Sequence, residues 1–253
     1  RIDDLRGKSV LVTGASSGIG AAVSRAFGEQ GARLALHWHS NEVAARSVAR
    51  DIEAGGAEAV LLRGDLTQPG IAQQLLDDGA RALGGLDVLI NCAGSLVSRR
   101  PFLEADEAWI NAVFDLNARA VIAACQAAAR HLAERGGGAI INVGSIAAMD
   151  GGGPGTGIYG ASKAFVHNLT RHLAREFAAQ NIRVNTVAPG VIATAFHAST
   201  PPERLEAMRR SVSLGRLGTP GDCVGAFLFL ASAQLSGYIT GQIIHVNGGQ
   251  VMP

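Results

Sequence analysis

The stretch IYGASKAF, residues 158–165, holds a tyrosine and a lysine four positions apart in an alanine-rich setting. On a helix Tyr159 and Lys163 share one face, one turn apart. The bland version of such a pair is a packed ring with a lysine stem lying over it. The alternative is a proton-transfer pair. A free phenol has a pKa of about 10 and is a poor base at neutral pH. Bringing it near 7 takes about 4 kcal/mol. One ammonium about 4 Å away supplies roughly that amount at an effective dielectric near 20. Lys163 is therefore sufficient if the site is partly desolvated. Ser145 closes the apolar run AIINVGS at residues 139–145. Its hydroxyl would donate to a reacting oxygen that gains negative charge, while Tyr159 passes the proton.

A second set of residues is suited to an anionic, nucleotide-like ligand. TGASSGIG, residues 13–20, follows an apolar run and precedes a helical pattern. Gly14, Gly18 and Gly20 make a G-x-x-x-G-x-G spacing. Such a turn lets the backbone approach a pyrophosphate, with a helix N-terminus facing the anion. A plain strand-to-helix turn is the alternative. Ser16 and Ser17 add hydroxyl donors, and Ile19 completes the turn. At the end of the next run, LHWHSNE, no Asp or Glu occurs from residue 33 to residue 41. NAD-specific dinucleotide folds place an acid there for the adenine ribose 2′-hydroxyl. A 2′-phosphate would meet no repelling charge, and His39, Ser40 and Ser17 can donate to it. NADP(H) is therefore the expected cofactor and NAD(H) the second choice, with dual use as the alternative. A histidine contact to phosphate strengthens as pH falls. Asp65, followed by Leu66, ends a third run, where a carboxylate can accept from an adenine amino group or cap a helix. Asn91, Ala93 and Gly94 of NCAG leave room for a flat ring or a ribose. Pro189 and Gly190, with Ile192 and Thr194 beyond them, turn the chain and free backbone groups for a ligand amide. Lys163 would hold ribose hydroxyls, and a cationic nicotinamide would add to its effect on Tyr159. The hydride belongs to the cofactor; the protein supplies position and field.

For these residues to meet, they must lie at one end of one sheet. Apolar runs at residues 10–13, 33–38, 59–65, 87–91, 139–145, 182–190 and 242–249 read as strands. Helical patterns follow the first three. A loop and a long alanine-rich helix over residues 111–135 follow the fourth, and a glycine-rich loop and the Tyr159 helix follow the fifth. The runs are almost wholly apolar rather than alternating, which marks parallel strands covered on both faces. The prediction is an α/β, single-domain, Rossmann-like doubly wound fold over residues 1–253, a seven-stranded parallel sheet with helices on both faces. Ligands on such sheets bind beyond the carboxyl ends of the strands. The candidate residues lie there or on the helix that follows.

Composition sets limits on function. A hydrophobic content of 47% and a charged content of 17% support a large core and exclude a disordered chain. A net charge of +1 offers no field for nucleic acid or an anionic membrane, and no apolar run reaches the length of a bilayer span. The expected partner is a small-molecule carbonyl or alcohol. Cys92, Cys125 and Cys223 are scattered and form no CxxC, which fits reduced thiols in a cytoplasmic protein. Cys92 reads as a small buried residue rather than a catalytic thiol. The seven histidines contain no HExxH. His37 and His39 would share a strand face, but no third ligand suggests itself and no metal is expected. The sequence opens on Arg1, and nothing near it resembles a targeting peptide.

Taken in order, TGxxxGIG at residues 13–20, an NNAG-like NCAG at residues 91–94, Ser145, the YxxxK pair and the Pro189–Gly190 turn resemble the short-chain dehydrogenase/reductase family. The resemblance covers essentially the whole chain. It implies the strand order 3-2-1-4-5-6-7 and an NAD(P)-dependent oxidation or reduction. It also implies a fourth catalytic residue, an asparagine on the long helix, and FDLNARA supplies Asn117. In the family its main-chain carbonyl holds a water in a proton relay to the lysine. Read from the residues alone, Asn117 is a polar group that strains or kinks a helix. The family's acidic cofactor position falls at about Trp38, and the arginine of many NADP-dependent relatives is absent at Ser17 and His39. Cys92 stands where the family usually has asparagine, so altered hydrogen bonding without loss of cofactor binding is expected. A homotetramer is implied, supported by the alanines of the two helices and the apolar tail GQIIHVNGGQVMP. The pattern is most similar to the 3-oxoacyl-thioester (acyl carrier protein) reductases, with sugar and polyol 1-dehydrogenases second. A non-catalytic nicotinamide-nucleotide sensor is the alternative of another class. Residues 195–215 are expected to form a lid containing Phe196, His197 and Met208. Its Arg204, Arg209 and Arg210 would meet either an anionic substrate or solvent.

Overall fold

The structure is a computed structural model that describes residues 1–197 and 200–253. Residues 198 and 199 belong to the expected lid, and that part of the expectation lies outside the described residues. Seven strands form one parallel sheet: β1 Ser9–Thr13, β2 Arg33–Trp38, β3 Ala59–Arg63, β4 Val88–Asn91, β5 Gly138–Val143, β6 Ile182–Pro189 and β7 Ile243–Val246. Their order is β3-β2-β1-β4-β5-β6-β7, as expected. The helices are α1 Gly18–Glu29, α2 Glu42–Ala54, α3 Ile71–Leu83, α4 Glu107–Phe114, α5 Ala120–Glu134, α6 Ala147–Asp150, α7 Gly157–Glu176, α8 Pro202–Ser211, α9 Pro220–Ala231 and α10 Ala233–Ser236.

The apolar strands serve two cores because successive strand side chains point to opposite faces. Val10 and Val12 of β1 pack with Phe27, Leu34, Leu36, Ile90 and Phe227 on one face. Leu11 packs with Leu76, Leu89, Ala128, Ile140 and Val184 on the other. β1 is buried along its whole length, whereas β7, at the sheet edge, is half-buried throughout. Two-sided cover therefore holds for the inner strands and weakens at the edge.

Four of the expected strand ends fall short: β6 stops at Pro189 and β7 at Val246, and the other two move site residues off their strands. β3 stops at Arg63 and β5 at Val143, so Asp65 and Ser145 stand on loops just past their strands. The glycine-rich stretch after β5 contains the short α6. The helix expected over residues 111–135 begins earlier, at Glu107, where the Asp106 side chain accepts from Trp109 N at 2.8 Å and caps the first turn. A π turn, Asp115–Arg119, then separates α4 from α5. Asn117 supplies its cause. Its Nδ2 donates to Val113 O at 2.9 Å, the carbonyl that an α-helical turn would give to the Asn117 amide.

Among the described residues no helix is long and apolar enough to cross a membrane.

Candidate active site

The carboxyl ends of the strands open into a cleft of about 500 Å³. Its floor is the turn from β1 to α1. Gly14 takes φ 67°, and an added Cβ there would lie 2.9 Å from Ala93 Cα; at Gly20 it would lie 2.2 Å from Gly14 O. Only glycine allows this close passage of two backbones. Ser16, Ser17, Gly18 and Ile19 complete that wall. His39 and Ser40 line the cleft just past β2 and are solvent-exposed.

His37, the partner expected to share a face with His39, is a structural link instead. Its Nδ1 accepts from Gly14 N at 3.1 Å, and its Nε2 donates to Gly64 O at 3.0 Å. An amide can only donate and a carbonyl can only accept, so the ring is held in one neutral tautomer. Burial lowers its pKa in keeping with that role. Among the described residues there is no metal-binding group of His, Cys, Asp and Glu. Trp38, near the family's acidic position, is buried with the Arg63 guanidinium 5.3 Å over its ring.

Asp65 and Leu66 line the adjoining wall. Asp65 does not cap α3, which starts after Gly70. Its carboxylate accepts from Thr67 N at 3.0 Å and Thr67 Oγ1 at 2.6 Å, and these bonds hold its pKa below the usual carboxylate range. Ala93 and Gly94 lie in the cleft wall, but the Asn91 side chain does not. Asn91 is buried, and its Nδ2 donates to Asn142 Oδ1 at 2.9 Å, tying β4 to β5. Thr13, not singled out by the sequence, accepts from Cys92 N at 3.0 Å and Ala93 N at 3.1 Å and so shapes this turn. Burial pushes the Cys92 thiol up to about 12, which keeps it uncharged and unreactive. Pro189, Gly190, Ile192 and Thr194 form the far wall. A parallel bridge to Gly218 uses Val191 O and Ala193 N, which turns the peptide groups of Ile192 itself away from that bridge. Pro189 O, expected to be available, accepts from Ile146 N at 3.0 Å.

Ser145, Tyr159 and Lys163 converge on this cleft. Ser145 Oγ accepts from Ala147 N at 3.1 Å, which leaves its own proton to donate into the cleft. Lys163 is buried, and its Nζ donates to Val143 O at 2.8 Å and stands 5.7 Å from the Tyr159 ring centroid. Asn117 lies behind them. An added Cβ on Gly94 would sit 2.9 Å from Asn117 Oδ1 and 3.2 Å from Lys163 Nζ. Its side chain bridges Ser95 through Ser95 O at 2.8 Å and Ser95 N at 3.2 Å.

The expected fall in the Tyr159 pKa does not occur. Burial pushes it up to about 12, against a lowering hydrogen bond from Ser145. Lys163 is itself pulled down to about 8 by burial. Desolvation opposes both charged forms, and for Tyr159 it outweighs the hydrogen bond from Ser145. At neutral pH the cleft therefore holds a protonated phenol beside an ammonium.

His167 was missed, although it continues the face of Tyr159 and Lys163 by one more turn. Its Nε2 accepts from Ser145 N at 3.4 Å, and a Cβ on Gly144 would fall 2.2 Å from that nitrogen. Burial, followed by the charges of His245, Arg171 and Lys163, pulls it down to about 4, so it acts as a neutral acceptor. Phe196 and His197 also line the cleft; the Phe196 ring lies 5.5 Å from that of Tyr159.

Residues 14–250 match the family profile described as Enoyl-(Acyl carrier protein) reductase. A solved short-chain dehydrogenase from Burkholderia cenocepacia J2315, in complex with NADP, superposes with a TM-score of 0.91 at 34% identity, covering 97% of this chain and 98% of the other. This chain is a short-chain dehydrogenase/reductase. Among curated members, the enzyme is 38% identical to 3beta-hydroxysteroid dehydrogenase 1 of Eggerthella lenta, covering 99% of this chain and 96% of that relative. It is 36% identical to the L-rhamnose 1-dehydrogenase (NAD(P)(+)) of a Sphingomonas species, covering 97% and 96%. It is 35% identical to the 3-oxoacyl-[acyl-carrier-protein] reductase FabG of Staphylococcus aureus, covering 97% and 98%. The NADH-dependent reductase A1-R′, crystallised with NAD, matches it with a TM-score of 0.89 at 36% identity over the whole of both chains. This short-chain dehydrogenase/reductase thus has neighbours crystallised with NAD and with NADP.

Proposed function

We propose that the enzyme interconverts a carbonyl and a secondary alcohol with NAD(P)(H). The observation that carries this reading is the convergence of Ser145, Tyr159 and Lys163 on the cleft floored by the Gly14–Gly20 turn. That turn fits a dinucleotide, because a Cβ at Gly14 or Gly20 would collide with backbone where the chain passes closest. Bound there, a nicotinamide cofactor supplies or takes the hydride. Ser145 donates to the carbonyl oxygen as negative charge grows on it. Tyr159, protonated at neutral pH, gives its proton to that oxygen. Lys163 stabilises the phenolate left behind and holds ribose hydroxyls. Asn117, against Gly94 and Lys163, serves the relay that returns a proton to the pair.

The substrate we favour is a 3-oxoacyl thioester. Phe196 against Tyr159, together with Leu116, gives the cleft an apolar side suited to an acyl chain. Ser95 and His197 in the same wall favour a sugar or polyol as the second reading. For the cofactor we favour NADP(H), because Ser17, His39 and Ser40 line the cleft past β2 and no Asp or Glu stands on β2 itself. The test is turnover on a panel of 3-oxoacyl thioesters, ketones, sugars and polyols with each cofactor at two pH values. Failure of every carbonyl and alcohol would sink the enzyme reading in favour of a nucleotide-binding sensor. A clear NAD(H) preference at both pH values would sink the cofactor assignment.

A further inference from the structure

The arginines on the segments that follow β4 and β6 divide into two kinds. Arg209 makes two bonds to Glu206, at 2.7 Å and 2.6 Å, and Arg210 reaches the same carboxylate at 3.1 Å. Arg216 is paired with Asp222, and Arg100 with Asp106. Arg99 and Arg204 have no acidic partner among the described residues. Arg204 Nη2 donates only to Pro154 O, at 3.2 Å. Arg99 Nε is buried with no hydrogen-bond partner among the described residues. A buried donor without an acceptor is a standing cost that a bound oxyanion removes.

These two arginines flank one loop. An added Cβ on Gly153 would lie 2.6 Å from Arg204 Nη2, and one on Gly155 would lie 3.3 Å from Arg99 Cβ. That loop runs straight into α7, the helix that carries Tyr159. The two guanidiniums sense each other: burial first, then the charge of Arg204, lowers the pKa of Arg99. Arg99 also acts on the cleft, where burial and then its charge lower the pKa of His197. The His197 ring stands 5.2 Å from Phe196, which in turn packs on Tyr159. The Phe196 ring thus bridges His197 and Tyr159, and Arg99 lies close enough to His197 for its charge to act there. The cofactor's own adenine end belongs elsewhere. β2, with His39 and Ser40 beyond it, is separated from β5 by β1 and β4, a lateral distance of about 14 Å at roughly 4.8 Å per strand.

We propose that Arg99 and Arg204 form a subsite for an oxyanionic group of the substrate, placed beyond the carbonyl that Tyr159 protonates. The proposal rests on the carbonyl-reductase reading and narrows its substrates to anions. Guanidinium forks match carboxylate and phosphate oxygens alike. The anion is either the carboxylate of a short oxo acid or a phosphate on the arm of a thioester.

Two matched pairs separate these sources: acetoacetate against methyl acetoacetate, and acetoacetyl-coenzyme A against the acetoacetyl thioester of N-acetylcysteamine. The wild-type enzyme should prefer the charged member of one pair. Preference in the first pair identifies a carboxylate, and preference in the second a phosphate. Arg99→Gln and Arg204→Gln should each raise KM for that charged substrate by about tenfold, the size expected for a charge-assisted bond. Their kcat should be little changed, and neither should affect the neutral member. Arg99→Lys and Arg204→Lys should restore part of the loss. Equal effects on charged and neutral substrates, or no wild-type preference in either pair, would overturn the subsite. If none of the four carbonyls turns over, the 3-oxoacyl substrate falls and the reductase reading is left to the wider panel. The subsite then stands or falls on binding: the thermal midpoint should rise with acetoacetate or inorganic phosphate in wild type and not in the double Gln variant. An equal response in both proteins would overturn it.

Discussion

At the residue scale, the chemistry turns on which proton sits where. Tyr159→Phe removes only the hydroxyl from a ring that still packs on Phe196. It should abolish turnover while cofactor binding, followed by nicotinamide fluorescence, survives; near-normal turnover would remove Tyr159 from the proton transfer. The protonation states also set how each direction depends on pH. Reduction uses the neutral phenol, which persists up to about pH 12. It also uses the Lys163 ammonium, which is lost as pH rises through about 8. Carbonyl reduction should therefore be flat at neutral pH and decline above about 8, while alcohol oxidation, which uses the phenolate, rises toward alkaline pH. Initial rates in both directions from pH 6 to pH 10 test this, and a reduction rate that climbs through that range would contradict it. His167 yields a stability prediction. Its folded pKa, about 4, lies below the unfolded value of 6.5, so it contributes stability that is complete above 6.5 and lost as pH falls toward 4. The loss should amount to about 3 kcal/mol at most. Urea melts of wild type and His167→Gln over that window should show the variant with a shallower pH slope; identical slopes would mean that His167 titrates normally.

At the element scale, the joint between α4 and α5 is the informative feature. Asn117 replaces one helical bond with a side-chain bond to Val113 O and at the same time satisfies both peptide groups of Ser95. Asn117→Ala leaves those half-buried groups without partners, at a cost of up to about 1–3 kcal/mol for each unsatisfied group. Turnover should fall together with stability, and amide exchange should quicken at Ser95 and across the π turn. A variant with unchanged exchange there would show that the side chain does not hold the joint. The run of alanines marked this stretch as helix, and the asparagine marked it as a place of strain. Whether strain resolves as a bend, a kink or a π turn depends on what the side chain can reach, and Ser95 arrives from a loop far along the chain. The early start at Glu107 was legible in principle, because Asp106 is an ordinary capping residue three positions before Trp109.

At the scale of the whole molecule, the sheet leaves two edge strands, β3 and β7, incompletely covered. β7 is half-buried along its length, and its outer edge has no partner strand in the chain. Exposed Phe165 on α7 and Met149 on α6 add apolar surface. An open apolar edge is a surface that native proteins protect. The expected outcome is a homotetramer, built on the β7 edge and on the small-residue faces of α5 and α7. Light scattering at micromolar concentration should return four times the chain mass, and a monomer mass would overturn this.

Period and punctuation in the sequence determined the sheet, its parallel sense and the place of the glycine turn, because apolar runs and glycines act locally and in order. They also determined that Ser145, Tyr159 and Lys163 would share one cleft, since strand ends and the helix that follows them have nowhere else to go. The tertiary structure decided what those side chains feel. Tyr159 and Lys163 are one helical turn apart in any helix, but the sign of the phenol's shift comes from burial, which overrides the lowering hydrogen bond from Ser145, not from spacing. His37 is a ligand-like residue in the sequence and a strut in the fold, because Gly14 N and Gly64 O come to its two nitrogens from different loops. Arg99 carries no local signal at all. Its lack of a carboxylate is a fact about every chain segment around it, and only folding brings those segments, Arg204 among them, to the same loop.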